Sequence, residues 1–159
     1  MTMPDEPIQE KALAAMADAL SNLTGWLYPR VPTVERVLPP PPETMPSEGL
    51  PRIYVVPATG SRMQDPSGTR DGRAYTHALY VNVHGVIEAD AETKADTWRW
   101  RLRHDVVATL HLNLSLSGAA WGLSFDDRPE AVDSGEVAPK AWFLQPVTIL
   151  LKEQYPTAA

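Results

Sequence analysis

The chain contains no cysteine. Disulfides, thiolate metal sites and thiol nucleophiles are therefore excluded, and the composition suits a protein kept in a reducing compartment. Basic residues are scarce as well: 14 Lys and Arg against 20 Asp and Glu leave a formal net charge of -6. That is the wrong sign for a module that grips a duplex by displacing its counterions, so avid DNA binding is not expected. Long apolar runs are missing too. No stretch approaches the roughly 18 uninterrupted apolar residues of a spanning helix, and residues 1–10 are acidic, without the apolar segment of a secretory signal. The expectation is a soluble, unexported protein with no membrane contact, in which the sequons at Asn22 and Asn113 carry no glycan.

What the chain has in excess is proline, 16 in 159 residues, about twice the usual share of roughly 5%. The length suits a single domain, 1–159, large enough to bury roughly 70% of the unfolded chain's surface, with 1–6 and 153–159 flexible. Eleven of the 16 prolines lie between Pro4 and Pro57, and none lies between Pro66 and Pro129. The proline-free middle is where regular core is expected, because proline removes a backbone donor from helices and ladders.

Periodicity divides the rest. Leu13, Met16, Leu20 and Leu23 repeat at three and four residues, which predicts a first helix over 7–23, stopped by Gly25. The run Pro39-Pro40-Pro41-Pro42, with Pro46 and Gly49, predicts an extended surface arm over 38–51 that either stays a stiff linker or reaches a neighbour. Ile53 to Val56 read as a short strand, followed by a Gly- and Ser-rich loop over 58–73. Residues 74–88 alternate, with Tyr75, His77, Leu79, Val81, Val83 and Ile87 on one face; this predicts a long strand, antiparallel to the first, with the loop projecting as an arm. A second helix is expected over 89–112, since Trp98, Leu102, Val106 and Leu110 recur every four residues and Asp90/Lys94 and Arg101/Asp105 are spaced for ion pairs. Trp100, Val107 and Leu114 form a second stripe roughly opposite, so this helix is expected to have two partners. A strand over 119–125, an acidic solvated loop over 126–140 and a last strand over 142–151 complete the order. Pro146 predicts an edge or a bulge in that last strand.

No catalytic constellation stands out. His77 and His84 face opposite sides of a strand, and His104 and His111 lie on a helix with no acidic ligand at metal spacing. Gly122-Leu123-Ser124-Phe125-Asp126 misses the nucleophile elbow at its last residue, no Gly-Lys-Ser/Thr follows Gly68 or Gly72, and Asp126 and Asp127 point apart in an extended chain. An enzyme is disfavoured, and no catalytic residue, cofactor or metal is expected. The Trp98–Arg103 run mixes cations with aromatics as single-strand binders do, but on a helix the aromatics are expected to face a core and the arginines its margin. Arg62, Arg70 and Arg73 sit on the projecting loop, where charges can set the register of an assembly contact.

The order of parts resembles a known family. An alanine-rich helix, a proline-marked crossing, the strand Pro51-Arg52-Ile53-Tyr54-Val55-Val56, an arm-like hairpin and a long alternating strand precede a helix that runs into Leu110-His111-Leu112-Asn113-Leu114-Ser115-Leu116-Ser117-Gly118. With the closing strand over 142–151, the pattern is similar to the tail terminator, or tail completion, proteins of long-tailed bacteriophages and prophages, over residues 8–151. The resemblance implies an α+β fold: a mixed, mostly antiparallel four- to five-stranded sheet with two main helices on one face and a long hairpin arm. It also implies a virion protein, assembled in the host cytoplasm into a ring, usually of six subunits, that caps the head-proximal end of the tail tube. Such a ring stops tube polymerisation and offers a surface to the head-completion or neck protein, while DNA passes through unbound. Trp100, Val107 and Leu114 are then the candidate subunit interface, and Arg62, Arg70 and Arg73 the candidate contact with a tube subunit. Two alternatives stand beside this reading: another head-tail joining protein, and a small-molecule binding module.

Overall fold

The computed structural model describes residues 6–23, 27–60, 62–66, 74–125, 130–135 and 137–154. Two helices, α1 (Ile8–Ser21) and α2 (Ala95–Leu112), pack on a sheet of seven strands: β1 (Thr33–Glu35), β2 (Arg52–Pro57), β3 (Arg62–Pro66), β4 (Ala74–Glu88), β5 (Gly122–Ser124), β6 (Ala131–Val132) and β7 (Lys140–Gln154). The order is β1-β2-β4-β7-β5, with β3 also on β4 and β6 also on β7. Among the described residues β1–β2 is the one parallel pairing, and the rest are antiparallel. The fold is α+β.

The alternation along β4 sets the layers. Leu79, Val81, Val83 and Ile87 lie opposite Ile149, Val147, Gln145 and Ala141 of β7, and this face is closed by Leu13, Met16 and Leu20 of α1 and Leu102, Val106 and Leu110 of α2. Burying such a side chain is worth roughly 1.5–3 kcal/mol. Gly85 faces Phe143, and a Cβ there would come within 2.2 Å of the ring, so the strand takes a glycine where its neighbour carries the bulk.

The opposite sheet face is capped at one end by the proline segment. Tyr54 of β2 and Val86 of β4 point outward and bury Met45, flanked by Leu50, Val56 and Trp142. Residues Pro42–Thr44 make a single 3-10 turn, the Lys140 ammonium donates to the carbonyl oxygens of Pro42 (3.2 Å) and Met45, and Ser47 donates to Glu88 at 3.1 Å. The expected surface arm over 38–51 is therefore docked on its own sheet through Met45, 2% exposed. The reason is that β2, β4 and β7 carry large side chains on both faces.

Other expectations shift for local reasons. Helix α2 starts at Ala95, because Asp90 accepts the backbone N–H groups of Glu92 (2.9 Å) and Thr93 (2.7 Å) and closes a turn that competes with the helix. The loop over 58–73 contains β3, which pairs with the first part of β4. Pro146 lies in an interior strand: β4 pairs with the whole of β7, while on the other side β6 meets Leu144 and Phe143 and β5 meets Thr148 to Leu150. Proline falls in the interval between those two short partners, where the ladder on that side is interrupted. The last strand continues to Gln154, past the expected start of fraying, with Glu153 opposite Tyr75 and its carboxylate 2.8 Å from His77. Gly25 lies outside the described residues, as do residues 1–5 and 155–159.

Candidate interaction surface

Helix α2 is anchored on its inner side by polar contacts as well as apolar ones. Asp105 is fully buried and accepts the backbone N–H of Leu27 (3.1 and 3.0 Å) and of Tyr28 (2.8 Å), tying the chain after α1 to the middle of α2. The expected Arg101/Asp105 pair gives way to this arrangement, and Arg101 lies over the Trp98 ring at 5.0 Å. Trp98 meets Tyr28 edge to face at 5.1 Å and donates its indole N–H to Asp90 at 3.1 Å.

Arg99 is not at the margin of the core, as expected, but buried within it. Its guanidinium donates to the Asp133 carboxylate at 2.8 Å and to the Asp133 carbonyl at 3.2 Å. Asp133 is likewise buried, which corrects the reading of 126–140 as a solvated loop. Burial works to raise its pKa, but the N–H of Trp142, the Arg99 guanidinium and the N–H of Gly135 outweigh it and hold the carboxyl below its ordinary value. Arg103 adds a second tether, donating to Gln145 at 3.1 Å and pairing with Glu130 at 2.8 Å.

The outward side of this anchored helix carries the predicted stripe. Trp100 is 44% exposed, Val107 is half-buried, and Leu114 is 43% exposed beyond the C-terminal cap, Asn113. The Arg99 guanidinium lies 4.9 Å from the Trp100 ring centroid. Leu114 is thus not on the helix, because the chain leaves it into the turn Leu116–Gly118, where Leu116, Ser117 and Gly118 all take positive φ and Leu116 is buried against the core. Arg62, of the proposed arm, is on β3 opposite Ala78; Arg70 and Arg73 lie outside the described residues.

Two further exposed apolar groups were not singled out as contacts by the sequence. Val31, Val37 and Leu38 (65%, 57% and 74% exposed) flank β1 at one edge of the sheet, and Trp121 (62%) precedes β5 at the other, with the Lys152 ammonium 4.0 Å from its ring. Val31, Val37 and Leu38 stood beside prolines outside any repeat, whereas Trp121 alternates with Leu123 and Phe125 in the strand expected over 119–125, of which β5 forms Gly122–Ser124.

The groups considered for chemistry are dispersed. His77 pairs with Glu153; His84 is half-buried on the opposite face, and burial lowers its pKa; His104 lies 3.3 Å from Asp105; His111 stacks on Phe125 at 4.6 Å. Ser124 is on β5, and Asp126 and Asp127 lie outside the described residues. Among the described residues no three His, Asp or Glu side chains converge as a metal site, and no helix is long and apolar enough to cross a membrane. A hollow of about 550 Å³ opens between the start of α2 and residues 133–141, lined by Lys94, Asp96, Arg99 and Asp133. Asp133 is already committed there: one oxygen takes Arg99 and the Trp142 N–H, the other the Gly135 N–H. No protein-family model matches the chain, and no curated protein matches it.

Proposed function

We propose that the chain is a structural subunit of a phage tail terminator, assembling as a ring, usually of six copies, on the head-proximal end of the tail tube. It ends tube polymerisation by occupying that end and presents its other side to the head-completion or neck protein. The observation that carries the reading is the order of elements. The helix, the proline crossing, β2, the β3–β4 hairpin, α2 with its Leu-rich turn ending at Gly118, and the closing strand β7 follow the order on which the resemblance rests.

The surface supports a contact role. Trp100 stands exposed on a helix held from behind by Asp105, Arg99 and Arg103, and Leu114 stands exposed just past its C-terminal end. An exposed tryptophan on a rigid element is the kind of anchor that protein partners bury. Arg62, on the strand β3 that pairs with β4, marks a second contact, directed at a tube subunit. A net charge of -6 per copy gives passing DNA little adhesion. No chemistry, cofactor or metal is assigned, and the site of action is the virion, after assembly in the host cytoplasm.

The test is polymerisation of purified tail-tube protein with and without the full chain, read by electron microscopy. The chain is expected at one tube end, with a shortened and narrowed length distribution. An unchanged length distribution would remove the terminator reading. Binding to a neck component without binding to tube ends would favour the head-tail joining alternative.

A further inference from the structure

The sheet has two open edges, and they differ. On one side β1 pairs with β2, and no strand lies beyond it among the described residues; on the other β5 pairs with β7, again with none beyond. The N–H of Thr33 bonds to the Pro51 carbonyl, so by alternation Val34 turns its N–H and C=O away from β2. An edge with an outward donor and acceptor is a template for another strand.

We infer that a second copy of this chain occupies these edges, β5 of one copy adding to β1 of the next. This rests on the self-assembly part of the ring reading and names its contact. Direction supports it. β1 is parallel to β2, β2 antiparallel to β4, β4 to β7, and β7 to β5, so β5 runs opposite to β1. Copies related by rotation about an axis along the strands therefore bring β5 against β1 antiparallel, the stronger pairing. The contact joins unlike surfaces, so each copy keeps one edge for the next, and the copies form a ring when the rotation between neighbours closes.

Apolar matching chooses the same arrangement. Val37 and Leu38 follow β1 and Trp121 precedes β5, and all three are exposed. In the antiparallel arrangement Val37 and Leu38 meet Trp121. A parallel arrangement sets them at the opposite end of β5 from Trp121. Joining β1 to a second β1 turns Val37 and Leu38 toward Arg30, and joining β5 to β5 leaves them uncovered. The head-to-tail contact is the one that brings the exposed apolar groups of both edges together.

Sedimentation velocity on the full chain tests this with three samples. Val34→Pro removes the outward N–H of β1 and leaves β5 intact; Trp121→Glu spoils the approach to β5 and leaves β1 intact. Wild type is expected to assemble and each variant alone to be monomeric. An equimolar mixture should give a one-to-one dimer and nothing larger, because one sound edge of each kind remains. Should Val34→Pro fail to fold by circular dichroism, Val37→Glu with Leu38→Glu, both at exposed positions, takes its place. A wild-type chain that stays monomeric at its highest soluble concentration overturns the inference. So does a set in which either variant still assembles alone, or in which Trp100→Glu disperses the assembly and the edge variants do not. Edge-dependent rings that leave tube length unchanged would retain this inference and remove the terminator reading. Tube capping insensitive to the edge variants would do the reverse.

Discussion

Asp105 and Asp133 show how single carboxylates hold this molecule together. Asp105 satisfies the backbone of Leu27 and Tyr28 in a fully buried position, so Asp105→Ala strands those N–H groups. The expected cost is roughly 2–4 kcal/mol in urea unfolding. A loss under about 0.5 kcal/mol would mean that water replaces the carboxylate. Asp133 makes stability depend on pH. Its pKa is lower in the folded chain than the roughly 3.9 of an unfolded aspartate, so its contribution is complete above that value and is lost as pH falls through the folded one. The thermal midpoint is expected to fall steeply below about pH 4. Asp133→Asn should flatten that acid limb and, by leaving Arg99 unpaired, cost roughly 3 kcal/mol at neutral pH. An unchanged acid limb in the variant would assign the acid sensitivity to other carboxylates. Neither role was legible in the sequence. Asp105 read as a surface partner of Arg101 and Asp133 as one acid in a solvated loop, because their partners lie 77 and 34 residues away along the chain.

At the scale of elements, period placed α1, β2, β4 and β7 close to their ends, and α2 at its C-terminal end only, since the helix expected from residue 89 starts at Ala95. Each is long enough, or alternates cleanly enough, that its buried face repeats several times. The short strands β1, β3 and β6 carry three, five and two residues and show no repeat, so they exist because a neighbour offers them a ladder. The proline segment is the instructive case. Its composition dictates an extended backbone, yet one methionine decides where that backbone goes. Met45→Ala is expected to cost roughly 2–4 kcal/mol, from the lost side chain and the cavity over Tyr54 and Val86. The same variant should speed proteolysis between residues 38 and 51. Equal proteolysis in wild type and variant would mean that the prolines stiffen the segment without help from Met45.

For the whole molecule, the acidic balance and the two unlike sheet edges matter most. Net charge -6 makes repulsion of a duplex the default, so electrophoretic mobility of DNA is expected to be unaltered at about 150 mM salt, where the Debye length is roughly 8 Å. A retarded band would require a basic patch and would count against passage of DNA through an unbinding ring. The candidate contacts were legible in part. Trp100 stood out as the far side of an amphipathic helix, and it is exposed. That the apolar residues around β1 and β5 stand at the rim was invisible, since an edge exists only once the strand order is known. The sequence by itself determined the long helices and strands, the layer facing of those elements, the charge sign and the absence of thiol chemistry, because composition and period are local properties. Which strands ended at the rim, where the prolines docked and which carboxylates were buried were decided by the tertiary structure alone. Each depends on contacts between residues distant in the chain, and no local pattern encodes those.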